Sequence, residues 1–235
     1  MALRRFILSG PKVRATRAQF GSKETDLAPR ATPRASSSRA AAPRAWQRML
    51  SGRRLDLLDP SPLDIEIEDI AHGIARVARW NGQTIGPHIF SVAQHSVLVE
   101  AIAGAIDATI PSDWRLAVLL HDAPEYVVGD IISPFKAVLG TAYKDVEHRI
   151  LAAIHLRFSV SAAPPGALVK LTKTADRAAA FIEATRLAGF SVAEAETFFG
   201  RPAIDLPNLD ALTAPMSSEM AETLFLNRFR IIDQG

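Results

Sequence analysis

Trp114-Arg115-Leu116-Ala117-Val118-Leu119-Leu120-His121-Asp122-Ala123-Pro124-Glu125-Tyr126-Val127-Val128-Gly129-Asp130 decides how this chain is read. Its first seven residues form an apolar run long enough for a buried helix. Its last ten hold a histidine and three carboxylates. Charges that close a buried helix cost desolvation energy unless something compensates them. A bound divalent cation is the simplest compensation, because neutral imidazole and carboxylate are both good ligands for one. Adjacent helical residues diverge by about 100°, so His121 and Asp122 can reach one ion from two sides. Asp122 and Glu125 stand at i and i+3 and share a helix face.

Apolar periodicity places further helices on both sides of this stretch. One is expected over residues 66–80, with Ile67, Ile70, Ile74 and Val77 as its stripe and Asn81-Gly82 as its end. Others are expected over 91–107, 113–121, 143–158, 167–187, 191–199 and 218–232, and Pro134 starts a short segment. Trp46, Met49, Leu50 and Leu57 are the expected anchors of the opening segment, 46–58. No stretch alternates as a strand does. The expected fold class is all-α, a single helical bundle over residues 44–235.

The chain has 235 residues, 48% of them hydrophobic. That is enough for one sizeable core plus an extension. Cysteine is absent, so disulfides and thiolate metal sites are excluded. A reducing, cytoplasmic location is expected. No apolar run approaches the roughly 20 residues of a membrane span. Residues 1–50 carry eleven Lys and Arg against Glu24 and Asp26, whereas the remainder is acidic on balance. The sequence pI near 9.1 therefore belongs to the tail. An acidic folded part argues against a stable nucleic-acid complex. Residues 1–43 read as a disordered basic extension, since 31–44 is a low-complexity run of Arg, Ala, Ser and Pro. A targeting peptide or a basic nucleic-acid-binding arm are the functional alternatives for it.

His95 shares a helix face with Val92, Leu98, Val99 and Ile102, and Asp176 stands among Val169, Ala179 and Ala180. Singly, these are an ordinary core histidine and an ordinary surface carboxylate. The order His95, His121-Asp122, Asp176 on three separate helices is more telling. It supplies two imidazoles and two carboxylates, a set suited to one divalent Mn, Co, Fe, Zn or Ni rather than calcium.

This pattern resembles the HD-domain metal-dependent phosphohydrolases. Arg79-Trp80, Gln94-His95-Ser96, His121-Asp122-Ala123-Pro124-Glu125 through Gly129-Asp130, and Pro134-Phe135-Lys136 look like the bacterial 5′-deoxynucleotidases. The same segments are similar to phage dATP triphosphohydrolases. The resemblance covers roughly residues 46–187. Tyr126 after Glu125 departs from the acidic pair of the HD-domain guanosine-tetraphosphate hydrolases. The resemblance implies that His95, His121, Asp122 and Asp176 hold the metal. It implies that Glu125 orients or deprotonates the attacking water, and that Asp130 protonates the leaving alkoxide or holds the metal water. Arg79 is then a phosphate clamp and Trp80 a cover for base or sugar. Lys136 is a second phosphate contact. Read without the resemblance, Arg79 is a solvated cation at a helix end and Trp80 an aromatic at the core's edge.

The expected activity is removal of the 5′-phosphate from deoxyribonucleoside monophosphates by a homo-oligomeric enzyme. Triphosphate release from a dNTP and a non-catalytic nucleotide or metal sensor are the alternatives. His72, His88, His148 and His155 remain; a second metal site at His148 and His155, seven apart on one helix, has no matching carboxylate set, and the glycines form no phosphate-cradling loop.

Overall fold

From Val92 to Ile106 small and aliphatic residues fall on every side of the helix, and the stretch Val92–Glu100 is buried on every side. Such a helix belongs at the centre of a bundle. A computed structural model describes residues 44–234, apart from 133, 134, 137, 139 and 140. The expected extension over residues 1–43 and the segment start at Pro134 lie outside the described residues. In chain order the elements are β1 (Trp46–Arg48), β2 (Arg54–Asp56), α1 (Ile67–Ile74), α2 (Val92–Ile106), α3 (Ser112–Leu119), α4 (Glu125–Val128), α5 (Thr141–Arg157), α6 (Gly166–Arg186), α7 (Val192–Phe199), α8 (Leu209–Thr213) and α9 (Ser218–Asp233). Helices thus make up nearly all of the regular structure.

Ser91 starts α2 by accepting the Gln94 N–H with its hydroxyl. Helices α1, α3, α6, α8 and α9 all pack against α2. The one carboxylate deep in the α2 interior, Glu100, is bonded by Arg115 and by both arms of Arg228, which ties α3 and α9 to α2. At Gly73 an added Cβ would lie 2.7 Å from Tyr126 Cβ. Glycine is what lets α1 press directly on α4 and fix the backbone beside Glu125.

Three expectations are corrected. A two-stranded antiparallel hairpin does exist, pairing Trp46 with Asp56 and Arg48 with Arg54. Its strands are three residues long, too short to show alternation. Met49 and Leu55 are its buried anchors, and Leu50 is exposed. The helix expected over 66–80 stops at Ile74. Beyond it the chain pairs with the entry to α2 instead: Ala78 bridges Ser91, Arg79 N–H donates to Phe90 O, and Val92 N–H donates to Val77 O. Helix α3 ends at Leu119 rather than reaching His121. His121 to Pro124 form a tight turn in which His121 N–H bonds Val118 O and Ala123 N–H bonds Leu120 O.

Candidate metal centre

Two histidines come together across α2 and the turn after α3, their ring centroids 5.3 Å apart. His95 Nε2 lies 3.3 Å from Asp122 Oδ2 and 3.3 Å from Asp176 Oδ1. His121 Nε2 lies 3.2 Å from the same Asp122 oxygen. His95, His121 and Asp122 form a group able to hold a metal ion, with one donor atom of each within 4.8 Å of the others. Asp176, on α6, joins it through His95. The expected ligands therefore converge, although His121 and Asp122 do so from a turn and not from a helix.

The tautomers follow from what the other ring nitrogens touch. His121 Nδ1 is 2.9 Å from the Val118 carbonyl, which can only accept. His95 Nδ1 is 2.6 Å from Glu183 Oε1. Both Nδ1 atoms therefore donate, and in the neutral rings both Nε2 lone pairs face the carboxylates. Both Nε2 atoms are buried and lack a hydrogen-bond partner. Two ligands of one ion with bonds of about 2.1 Å stand roughly 3.0–3.4 Å apart, which matches the three spacings above. The donor set and its orphaned nitrogens fit a divalent transition metal.

Charge balance agrees with this fit. Burial and Arg79 disfavour a charged His95, but Glu183, Asp122 and Asp176 outweigh them and raise its pKa well above the ordinary value. Burial pushes Asp122 upward, yet His121 and His95 hold it well below the usual carboxylate range. Asp176 is lowered in the same way, against burial, chiefly by His95. The cluster is thus set up to be neutralised by positive charge, from protons or from a metal. Glu125 is the exception. Burial first, then Asp122 and Asp130, push it up to about 9. Lys136 Nζ stands 3.7 Å from its Oε1, and its Oε2 is buried without a partner.

Arg79, Trp80 and Asp130 are drawn into this network. The Arg79 guanidinium donates to Asp130 at 3.0 Å and to Glu183 at 3.4 Å. Trp80 Nε1 donates to Glu183 at 2.8 Å. Trp80 and Asn81 both adopt the left-handed region, with φ 56° and 52°. That conformation costs most non-glycine residues about 1–2 kcal/mol; asparagine tolerates it, and at Trp80 the Nε1 bond to Glu183 opposes the cost. Gly129, with φ 76°, ends α4 and hands the chain on to Asp130. Lys136 bonds Glu147 at 3.2 Å. Among the remaining histidines, His72 pairs with Glu222 and His155 Nδ1 donates to Ser161 O, both away from this centre.

Part of this network borders a cavity of about 790 Å³. Arg79, Trp80, Asp122, Glu125, Asp130, Lys136 and Asp176 line it, together with Arg177 and three phenylalanines that the sequence reading did not single out. Glu183 was missed as well. Its signal was available: it lies seven residues after Asp176 on α6, two turns along the same face. It fixes His95 while binding Arg79 and Trp80, so it supports a ligand rather than being one. Glu183→Ala is expected to weaken metal binding by about 10–100-fold, measured by chelator competition. An unchanged affinity would reduce Glu183 to packing.

No family model matches the chain. It is 58% identical over 159 residues to the uncharacterized protein RCAP_rcc00048 of Rhodobacter capsulatus, an alignment covering 68% of this chain and 81% of that protein. It is also 34% identical over 97 residues to the uncharacterized protein YfdR of Escherichia coli, covering 41% of this chain and 49% of that one. At that identity and coverage, the chain belongs to the same family as the Rhodobacter capsulatus protein.

Proposed function

We propose that this protein is a cytoplasmic metal-dependent phosphohydrolase of the HD type. It removes the 5′-phosphate from deoxyribonucleoside monophosphates. The observation that carries the reading is the pair of unpartnered imidazole nitrogens, His95 Nε2 and His121 Nε2. They converge with Asp122 and Asp176 beside a cavity of about 790 Å³, a size that suits a small molecule. His95, His121, Asp122 and Asp176 hold one divalent transition metal, which when bound polarises a phosphoryl oxygen and acidifies water.

The chain's own groups then divide the remaining work. Glu125, three residues beyond a ligand and almost wholly buried, has its pKa pushed up by burial, Asp122 and Asp130 in the metal-free protein; where a bound cation offsets those charges, it takes and returns the proton of the attacking water. Lys136, 3.7 Å from Glu125, and Arg177, on the cavity wall, meet the phosphate. Arg79 is engaged with Asp130 and Glu183. Its charge still acts on the phosphate while its bonds fix Asp130 as a hydrogen-bond acceptor that orients the attacking water, and the proton that Glu125 returns goes to the leaving oxygen. The Trp80 indole, fixed through Nε1, excludes a 2′-hydroxyl by bulk, since its single N–H is already donated.

One observation favours the second reading, triphosphate release from a dNTP. Arg177 adds a cation to the cavity, and a longer phosphate chain needs more of them. Matched assays of metal-loaded protein on dAMP, AMP and dATP test both readings. Faster release of phosphate from dAMP than from AMP is expected. Equal rates on those two would remove the sugar argument, and release from dATP alone would install the second reading.

A further inference from the structure

The cavity that Asp122 and Asp176 border carries an aromatic wall whose chemistry is unlike that of its charged part. Phe190, Phe198 and Phe199 line it beside Trp80. Phe198 and Phe199 end α7, and Phe190 stands just before that helix. Phe190 and Phe199 pack on Trp80 at centroid distances of 5.6 and 6.0 Å, with planes inclined by 58° and 86°. The contacts of Phe198 with Phe190 and Phe199 are likewise inclined, by 86° and 57°. None of these pairs stacks face to face; each inclined or edge-to-face contact covers at most one face of one ring. Phe198 is 64% exposed. A single exposed apolar ring is ordinary, but this one belongs to a group of four aromatic side chains on one cavity wall, and a contiguous exposed apolar patch marks a binding surface.

The wall is also joined to the metal cluster. Trp80 donates to Glu183, which accepts from His95. The cavity therefore brings together ligands for a metal, cations for a phosphate, and open ring faces. We propose that the wall formed by Phe190, Phe198, Phe199 and Trp80 is a stacking subsite for the flat base of the substrate. This deepens the phosphohydrolase reading and rests on it for the identity of the substrate, a phosphate ester that carries an aromatic base. Apolar faces in contact with water bind any planar ring favourably, and base-on-aromatic stacking lost on alanine substitution corresponds to roughly 5- to 100-fold in affinity.

The test uses the metal-loaded full chain and its Phe198→Ala variant, with equal melting temperatures as the check on folding. Equilibrium binding of 2′-deoxyadenosine, which has no phosphate to lose, is measured for both. Phosphate release from dAMP and from 2-deoxyribose 5-phosphate is measured in parallel. Expected are a roughly 5- to 100-fold weaker Kd for deoxyadenosine in the variant and a similar fall in the ratio of kcat/KM for dAMP over deoxyribose 5-phosphate. An unchanged Kd, absence of deoxyadenosine binding to the wild type, or an equal fall on both phosphate esters would overturn the subsite. Base binding that depends on Phe198, with no phosphate release from any ester, would retain the subsite and discard the phosphohydrolase reading.

Discussion

Metal analysis of the Asp122→Ala protein is expected to show near-complete loss of the ion, a larger effect than the about 10–100-fold drop that follows loss of a supporting partner. The reason lies in how Asp122 is shared. Its Oδ2 is 3.3 Å from His95 Nε2 and 3.2 Å from His121 Nε2. Among the described residues it is the one carboxylate in close contact with both imidazoles. It is also held ionised against the effect of burial by His121 and His95, so it brings a full negative charge to the cluster. Removing it leaves the two imidazoles and Asp176, whose side chain is 42% exposed. Asp122→Asn separates charge from shape. It keeps an oxygen at the same place but removes the charge, and it is expected to lose the ion as well. Metal content equal to wild type in the alanine protein would take Asp122 off the ligand set.

The convergence of ligands was legible because each lies in a segment with a strong local signal. Ser91 before α2 and Pro165 before α6 mark where those helices begin, so His95 and Asp176 were assigned to the right elements. Helix α9 begins as expected because Ser217 caps it. The turn carrying His121 and Asp122 was read as helix, since an apolar run predicts a buried segment but not its last hydrogen bond. What could not be read was set by tertiary pairing. The residues after Ile74 favour a helix locally, but Ala78 and Arg79 find partners at Ser91 and Phe90. That pairing puts Trp80 into a left-handed conformation no propensity would suggest. Glu183 shares a helix face with Asp176, but that spacing alone does not set it apart from other helix carboxylates; its role comes from His95, 88 residues earlier.

Glu125→Gln is expected to separate catalysis from stability. In the metal-loaded protein it should keep the ion, because Glu125 is outside the convergent donor group, and lose about 10²–10⁴-fold in kcat, the usual scale of general acid–base help. In the metal-free protein the same change should stabilise the fold, with a definite pH dependence. Burial, Asp122 and Asp130 raise the folded carboxyl to about 9, whereas a glutamate in the unfolded chain ionises near 4.3. The contribution of a group raised on folding is fully present below the unfolded pKa and is lost as pH rises towards the folded one. At pH 8 the wild type has lost most of it, since the unfolded chain ionises freely and the folded one does not. Glutamine has no proton to lose. The Glu125→Gln protein, stripped with chelator, should therefore melt above the wild type at pH 8, by about 2–4 °C for each kcal/mol recovered. The two should melt together near pH 4.5. Thermal melts of both proteins at the two pH values measure the difference. Equal melting temperatures at pH 8 would mean that Glu125 is ionised and comfortably solvated in the fold. Unchanged kcat would remove it from the chemistry.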